Sequence, residues 1–328
     1  MKIIGIGNAL LDVLLRLESD ETLDRMCMKK GAMDLIEEAQ MKAIHRAQHG
    51  LARHEAPGGS VCNTIRALAH LGAEVGYIGK VGTDPSGAFY EQAVREAGVT
   101  PCFARAEGIT GCATVLISPD GERTMATFLG PAATLSAAEI TDETLRRYDC
   151  VYIEGYLIAN EALFLPILQR VDKLGLKVAL DLSNFNIVNG FKELLQEVIP
   201  RYVRILFSNE SEAEAYTGLP AAEAVQKISE QVGVSVVTIG KQGALVGSAG
   251  RIIAVPASGG TAVDTTGAGD HFAAGFLYGQ SVGASLEQSA QTGSLLAGHV
   301  VEAIGPQIPA DLWPQIKLKV KDILQSER

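Results

Sequence analysis

The chain has 328 residues and a formal net charge of −10 at pH 7, with 47% hydrophobic and 20% charged residues. This length predicts one large domain with a smaller attachment, and this composition predicts a globular chain, which excludes the disordered class. Because the chain is acidic and has no basic run, we also exclude nucleic acid and anionic membrane surfaces as partners.

The cysteines and the N-terminal sequence predict a cytoplasmic protein. Five cysteines are spread along the chain without a Cys-x-x-Cys pair, which argues against a disulfide framework or a zinc site and favours a reducing compartment. The N-terminal apolar run is interrupted by Asn8, Asp12 and Arg16, and no small-x-small cleavage site follows it, so it does not fit a signal peptide. No apolar stretch is long enough to span a bilayer.

The first predicted strand covers residues 2–7 and contains Gly5-Ile6-Gly7. A dinucleotide-binding loop needs a third glycine where Leu10 stands and a helix after it, so a nicotinamide-dependent dehydrogenase is not favoured. Asn8 and Asp12 follow this strand. Taken alone, Asn8 fits a turn residue and Asp12 fits a solvated strand residue.

Residues 56–60, Ala-Pro-Gly-Gly-Ser, predict a loop that opens into a helix. Pro57 favours an extended entry, and the two glycines that follow let backbone approach a ligand. Ser60 is a typical N-cap residue, and the apolar residues after it recur at helical spacing until Gly72. Asn63 lies in the first turn of this helix, where its amide would either bridge two vicinal hydroxyls of a ligand or make a capping contact.

Two β-rich segments, residues 12–37 and 100–128, interrupt an otherwise alternating β/α pattern. The second segment contains the hairpin turn Ser118-Pro119-Asp120-Gly121. The two segments predict a small sheet over the site, and the rest of the chain predicts an α/β domain made of residues 1–11, 38–99 and 129–328. Arg123 lies in the small sheet, either as an exposed edge-strand residue or as one that reaches the site.

Polar residues follow four successive strands after these segments. They are Glu154, Asp181, the group that begins at Asn209, and Thr238. Because ligands bind outside the carboxyl ends of the strands in open α/β sheets, one cleft is expected to collect these residues. The spacing of Asn209 and Glu212 places both on one face of a first helical turn, which by itself fits an N-cap with an acidic first turn.

The last motif is Asp264-Thr265-Thr266-Gly267-Ala268-Gly269-Asp270, which opens a helix of small residues. Its glycines allow close approach of a ligand, and a helix start offers unpaired N–H groups and the positive end of the dipole, so the motif predicts a phosphate cradle. Asp270 would repel an anion there. It therefore fits either a general base that takes a proton from a hydroxyl or a simple helix cap.

This motif resembles the C-terminal signature of the ribokinase (PfkB) family of sugar and nucleoside kinases. The stretches Gly58-Gly59-Ser60-Val61-Cys62-Asn63 and Gly79-Lys80-Val81-Gly82-Thr83-Asp84-Pro85-Ser86-Gly87 resemble the N-terminal signature of that family. Together the two signatures span nearly the whole chain. The resemblance implies a ribokinase-like three-layer α/β/α domain with a mainly parallel central sheet, and a small β-sheet lid that excludes water from phosphoryl transfer.

The resemblance also implies a role for each motif, with ATP and Mg²⁺ as cofactors. Asp270 is the implied general base, and the amides of Gly267, Ala268 and Gly269 hold the transferring phosphoryl group. The implied substrate-binding residues are Asn8, Asp12, Gly58, Gly59, Asn63 and Arg123. The implied ATP-binding residues are Asn209, Thr238, Gly240, Gly243, Gly267 and Gly269. Asn209 and Glu212 would organise Mg²⁺ through water. Asp264 and Thr266 stand where members of the family bind a monovalent cation, which raises K⁺ as a further cofactor.

Several segments resemble adenosine kinases more than ribokinases. They include residues 5–12, 179–183 and 205–212, and the lid segment from Arg123 to Thr127 partly matches the same branch. Thr266 departs from it, since many adenosine kinases have Asn there and ribokinases have Thr. No Gly-x-x-x-x-Gly-Lys-Ser/Thr occurs, which excludes a Walker-type nucleoside triphosphatase.

The resulting prediction is ATP-dependent phosphorylation of the primary hydroxyl of a small molecule, an adenosine-type nucleoside, by a monomer or homodimer. One alternative is a kinase of a free sugar such as ribose, fructose or a keto-deoxy sugar acid. The other is a non-catalytic sugar or nucleoside sensor, which the intact Asp270 and glycine turn disfavour.

Overall fold

Short apolar runs of the sequence form most strands of the central sheet of the protein, which we describe from a computed structural model covering residues 1–47 and 53–326. In chain order the strands are β1 (Ile3–Ile6), β2 (Leu10–Arg16), β3 (Met33–Leu35), β4 (Arg53–Gly58), β5 (Val75–Gly82), β6 (Thr100–Ala106), β7 (Cys112–Ile117), β8 (Arg123–Phe128), β9 (Cys150–Glu154), β10 (Lys177–Asp181), β11 (Ile205–Asn209), β12 (Val234–Thr238), β13 (Ala244–Ser248) and β14 (Arg251–Val255).

The helices alternate with the strands through most of the chain and present an apolar face to them. They are α1 (Glu21–Arg25), α2 (Glu38–Ala47), α3 (Ser60–Leu71), α4 (Pro85–Glu96), α5 (Asp142–Leu145), α6 (Phe164–Lys173), α7 (Phe185–Gly190), α8 (Lys192–Tyr202), α9 (Glu210–Thr217), α10 (Ala221–Ser229), α11 (Ala268–Ser281), α12 (Leu286–Val300) and α13 (Trp313–Gln325). None of these helices is long and apolar enough to cross a membrane.

A large sheet, which we call the central sheet, has the strand order β14-β13-β12-β11-β10-β9-β1-β5-β6 in the described part of the chain. The strands from β12 to β6 are parallel, and β13 and β14 are antiparallel additions at one edge. The central strands are buried on both faces, as is typical of parallel sheets covered by helices on both sides.

Alternate residues of the central strands enter two separate cores. Ile3 and Ala179 pack on the side of α3, α11 and α12, whereas Ile4 and Leu180 pack on the side of α6, α8 and α10. This alternation follows from the two-residue period of a strand. The predicted three-layer α/β/α architecture with a mainly parallel sheet is confirmed.

A second sheet, the small sheet, has the strand order β3-β8-β7-β2-β4. The set of strands in the small sheet differs from the prediction, because β6 pairs with β5 in the central sheet and β4 pairs with β2 in the small sheet. The connection from β5 through α4 to β6 is an ordinary parallel β/α/β unit, which places β6 beside β5. Residues 100–106 therefore do not belong to the small sheet, and residues 53–58 do. Residues 48–52 and 327–328, which the predicted α/β domain also included, lie outside the described residues.

Helices α11 and α12 pack with their backbones in close contact. A Cβ atom on Gly275 would lie 2.5 Å from the carbonyl oxygen of Thr292, and one on Gly279 would lie 2.5 Å from the hydroxyl of Ser289. Glycines thus allow an approach that side chains would prevent. This close packing determines where the N-terminus of α11 lies.

Replacing Gly275 by alanine should destabilise the fold. The added methyl group would meet a backbone oxygen, which cannot move aside as a flexible side chain would, so we expect the free energy of unfolding to fall by about 1–3 kcal/mol. Urea unfolding measures this change. Gly190→Ala in α7 is the control, because a Cβ there meets no atom within 4 Å. Equal stability of the two variants would contradict the close-packing argument.

Candidate active site

Polar residues stand along one edge of the central sheet, where five adjacent strands end. Asn8 follows β1, Glu154 ends β9, Asp181 ends β10, Asn209 ends β11 and Thr238 ends β12. These strands are parallel neighbours, so their carboxyl ends lie side by side. The polar residues that follow β9 to β12 therefore stand side by side at one edge of the central sheet, and the cleft that would collect them stays a prediction.

Asp270 lies in the first turn of α11 and is held by the first turn of α3. Its Oδ1 accepts a hydrogen bond from the Ser60 hydroxyl at 2.6 Å, and its Oδ2 accepts one from the Asn63 amide at 2.8 Å. The amide of Gln307 donates to Asn63 Oδ1 at 2.6 Å and so orients the Asn63 side chain. Burial raises the pKa of Asp270, although these hydrogen bonds oppose the shift. The result is an oriented carboxylate that is more basic than an exposed one.

The structure differs from two expectations about helix capping, one for Ser60 and one for Asp270. The N-cap of α3 is Gly59, not Ser60, and Ser60 directs its hydroxyl to Asp270 instead. The carboxylate of Asp270 in turn accepts from side chains of α3, so helix capping does not account for its position. The roles of Ser60 and Gln307 in orienting the site have no local sequence signal, because their partners lie more than 200 residues away.

The N-terminus of α11 leaves backbone N–H groups without a partner. Gly267 has the left-handed φ of 80° and is the N-cap residue. Ala268 donates its N–H to the Thr265 carbonyl at 3.2 Å, so this amide is engaged within the turn. Among the described residues, no acceptor pairs with the N–H groups of Gly267 and Gly269. These two donors and the helix dipole are available to an anion.

Asp12 faces the glycine pair at the end of β4. A Cβ on Gly58 would lie 2.1 Å from Asp12 Cγ, and one on Gly59 would lie 2.4 Å from the Asn8 carbonyl oxygen. Burial and the nearby charge of Asp270 raise the pKa of Asp12 to about 7. Asp12 is therefore not a solvated strand residue, because the pairing of β2 with β4 brings it into the site.

Glu154 is a buried carboxylate that connects the end of β1 with the first turn of α3. Its Oε1 accepts hydrogen bonds from the backbone N–H and the side-chain amide of Asn8, at 2.8 and 2.7 Å. Its Oε2 accepts from the N–H of Val61 at 3.3 Å. Burial raises the pKa of Glu154 to about 7, against the lowering effect of these bonds. The Asn8 amide is thus directed to Glu154, for which the sequence predicts a strand end but no role.

Asn209 and Glu212 form a reciprocal capping box at the start of α9. Asn209 Oδ1 accepts the N–H of Glu212 at 2.9 Å, while the N–H and amide of Asn209 donate to the two Glu212 oxygens at 2.8 and 2.7 Å. This is the N-cap arrangement that the spacing allowed. It also holds the Glu212 carboxylate in one orientation.

Asp181 and Glu212 form a buried pair of acidic groups that fits a divalent cation. Burial and the charges of Glu212 and Asp270 raise the pKa of Asp181, and burial also raises the pKa of Glu212. In residues 1–47 and 53–326 no Lys or Arg forms an ion pair with either carboxylate. Within the same residues, no three His, Cys, Asp or Glu side chains are placed to ligate a metal directly. Mg²⁺ keeps much of its water shell in proteins, and a hydrated cation would relieve the repulsion between the two groups.

The loop after β12 carries the predicted nucleotide-binding residues. Thr238 Oγ1 donates to the Ser208 carbonyl at 3.4 Å. A Cβ on Gly243 would lie 2.0 Å from the Val255 carbonyl oxygen, so the protein's own packing requires this glycine, while the space beside Gly240 is open. β12 lies three strands from β9, which places this loop about 14 Å along the sheet edge from Glu154.

Arg123 connects the small sheet to the turn before α11. Its Nη1 donates to Thr266 Oγ1 at 2.7 Å, and its Nη2 pairs with Asp264 Oδ2. Of the two interpretations of Arg123, the one that made it an exposed edge-strand residue is wrong.

The predicted site residues form two groups. One group lies around Asp270 and Asp12, and the other lies along the ends of β10 to β12.

Comparisons with known proteins give a consistent result. The chain matches the family profile described as pfkB family carbohydrate kinase over residues 27–313. It is 28% identical to an adenosine kinase of Schizophyllum commune over 349 residues, 97% of this chain and 98% of the relative. An uncharacterized sugar kinase of Archaeoglobus fulgidus is 30% identical over 241 residues, 73% of this chain and 95% of the relative. The crystal structure of adenosine kinase from Sinorhizobium meliloti is similar with a TM-score of 0.87 and 30% identity, covering 97% of this chain and 99% of that one.

Replacing Glu154 by glutamine should flatten the dependence of stability on pH. Because the pKa of Glu154 rises from 4.5 to about 7 on folding, the folded protein binds more protons than the unfolded chain between these values. The free energy of unfolding therefore falls as pH rises through this window, by about 3 kcal/mol from this group. We expect the urea midpoint of the variant to fall less over the same window in the absence of divalent cations.

The control is Glu197→Gln, because Glu197 is exposed on α8. This variant should keep the pH slope of the unchanged protein. A Glu154→Gln slope equal to that of the control would show that the Glu154 carboxyl does not gain a proton on folding.

Proposed function

The chain belongs to the pfkB family of carbohydrate kinases, and we propose that within this family it transfers the γ-phosphoryl group of ATP to the primary hydroxyl of an adenosine-type nucleoside. It is a phosphotransferase that acts on a sugar or a nucleoside. The nucleoside is favoured because adenosine kinases align with nearly the whole chain, whereas several sugar kinases align with about three quarters of it or less.

The observation that carries the proposal is the position of Asp270, which Ser60 and Asn63 hold at the positive end of α11. In the proposed reaction this carboxylate accepts the proton of the attacking hydroxyl. A base works best when its pKa lies near the working pH, so the raised pKa of Asp270 favours this step. The fixed orientation holds the carboxylate oxygens toward the site before substrate arrives.

The turn before α11 supplies the electrostatic part of the proposed reaction. The N–H groups of Gly267 and Gly269 are the donors available to the oxygens of the transferring phosphoryl group. Charge develops on those oxygens during transfer, and donors that are already oriented stabilise it without reorganising. The amide of Ala268 holds the turn in shape instead of contacting the phosphoryl group.

The acceptor in this proposal lies beside Asp12 and the glycine pair. Asp12 accepts hydrogen bonds from hydroxyls of the sugar ring, and Gly58 and Gly59 have no side chains that would displace the Asp12 carboxylate or the Asn8 backbone. The side-chain amide of Asn63 offers its remaining hydrogen-bonding capacity to the same hydroxyls. Glu154 does not reach the acceptor, because its two oxygens hold Asn8 and Val61.

ATP and Mg²⁺ complete the proposed reaction. When bound, Mg²⁺ neutralises charge on the β- and γ-phosphates. Asp181 and Glu212 are the residues that would hold it, through water, while Asn209 fixes the Glu212 carboxylate. Thr238, Gly240 and Gly243 lie where the rest of the nucleotide would extend along the edge of the central sheet.

A free-sugar kinase is the second candidate, because the similar proteins include an uncharacterized sugar kinase. The two candidates are separated by Mg²⁺-dependent ADP release with adenosine, inosine, guanosine, cytidine, ribose, fructose and 2-keto-3-deoxygluconate. We expect kcat/KM for adenosine to exceed that for any free sugar by about tenfold or more, which corresponds to about 1.4 kcal/mol of extra binding from the base. A free sugar as the best acceptor would refute the nucleoside proposal. Binding of these compounds without ADP release would indicate a non-catalytic sugar or nucleoside sensor.

Replacing Asp270 by asparagine should abolish most turnover with little effect on acceptor binding. Asparagine keeps the size of the side chain but cannot accept the proton, so kcat should fall by about 10²–10⁴-fold while the Kd of the acceptor, measured by calorimetry, stays within a few-fold. Asp172→Asn, at an exposed position on α6, is the matched control and should leave both values unchanged. A variant at position 270 with near-normal kcat would rule out Asp270 as the base.

A further inference from the structure

Arg123 begins β8 in the small sheet, and both of its partners belong to the turn before α11. Nη1 donates to Thr266 Oγ1 at 2.7 Å, and Nη2 pairs with Asp264 Oδ2, a residue 141 positions further along the chain. The side chains of Arg123 and Asp264 are only 21% and 8% exposed. The ion pair is therefore largely withdrawn from water.

The carboxylate of Asp264 has its acceptor positions filled. Oδ1 accepts from the N–H of Thr266 at 3.1 Å and from its hydroxyl at 2.8 Å. Oδ2 accepts from the N–H of Gly305 at 2.6 Å and from the guanidinium of Arg123. A carboxylate offers about four lone-pair sites, so these bonds saturate it. Burial acts to raise the pKa of Asp264, but the bonds from Gly305 and Thr266 and the charge of Arg123 lower it, so the group is ionised at neutral pH.

A monovalent cation does not fit this carboxylate as it stands. The resemblance to the family placed such a cation at Asp264 and Thr266, where both carboxylate oxygens and the Thr266 hydroxyl are already engaged. Arg123 supplies a positive charge at the same place through two directed hydrogen bonds, and a guanidinium stays charged in proteins. A K⁺ ion would have to displace a resident charge of its own sign from a largely dehydrated pair.

We propose that Arg123 replaces the monovalent cation in this protein and orders residues 264–267 for phosphoryl transfer without any added ion. Arg123 acts through Asp264 and Thr266, so it is a positioning residue. Because it comes from the small sheet, the placement of that sheet over the site and the ordering of the turn are coupled. The inference rests on the proposed kinase function, since the turn is the proposed anion site.

The test is whether Arg123→Ala converts a cation-independent protein into a cation-dependent one. Thermal unfolding is measured in KCl and in tetramethylammonium chloride, both at an ionic strength of about 0.15 M. The unchanged protein should have the same Tm in both salts. In Arg123→Ala, K⁺ should raise the Tm by about 2–4 °C relative to tetramethylammonium, because the small ion binds the carboxylate that has lost its partner and so stabilises the folded state.

Matched variants separate this effect from the general loss of an ion pair. Arg170→Ala removes a partly buried pair with Asp142 far from the site and should lower the Tm equally in both salts. Arg123→Lys keeps the positive charge and should remain indifferent to K⁺. Arg123→Met, which retains the alkyl stem, takes the place of Arg123→Ala if truncation prevents folding, and should gain the same K⁺ response.

Turnover provides a second readout with whichever acceptor supports activity. The kcat of the unchanged protein should be equal in the two salts, whereas Arg123→Ala should lose about tenfold or more in tetramethylammonium and recover most of it in K⁺. A rise in Tm or kcat of the unchanged protein with K⁺ would overturn the inference, and so would Arg123→Ala and Arg123→Met variants that ignore K⁺. The Tm measurements need no acceptor, so an absence of phosphorylation would contradict only the proposed function.

Discussion

The hydrogen bonds from Ser60 and Asn63 to Asp270 are the contact on which the arrangement of the site depends. They join residues that are 210 and 207 positions apart, and they require the first turns of α3 and α11 to meet. That meeting depends on the close packing of α11 against α12, which Gly275 and Gly279 permit. The orientation of one carboxylate is thus decided by helix packing on one face of the central sheet.

The second general feature is a group of buried carboxylates, three at one edge of the central sheet and one on β2 of the small sheet. Asp12, Glu154, Asp181 and Glu212 all have raised pKa values, with burial as the first cause. Such crowding opposes stability and is typical of sites that handle protons and phosphates. The protein balances the charge of Asp264 internally through Arg123, whereas Asp181 and Glu212 have no such partner among the described residues.

The glycine motifs and the ends of the strands were predictable because each depends on a few consecutive residues. The set of strands in the small sheet was not predictable, since β4 belongs to the small sheet and β6 to the central sheet, the reverse of the prediction. β4 contains Pro57 and Gly58 and few strand-forming side chains, so the sequence predicted a loop there, whereas β6 was predicted as a strand but strand propensity does not specify its partner. Their pairing depends on which neighbouring strand offers free hydrogen-bonding groups and a matching buried face, and this is known only once the helices have packed.

The sequence by itself determined the alternation of strands and helices in most of the chain, the glycine turn before α11, and the row of polar residues at the strand ends, because local spacing governs all three. Only the tertiary structure decided the partners of those residues. Asn8 bonds to Glu154, Gln307 orients Asn63, and Arg123 pairs with Asp264. The physical reason is that a hydrogen bond between residues more than a hundred positions apart leaves no period or spacing in the sequence, so it exists only once the chain has folded.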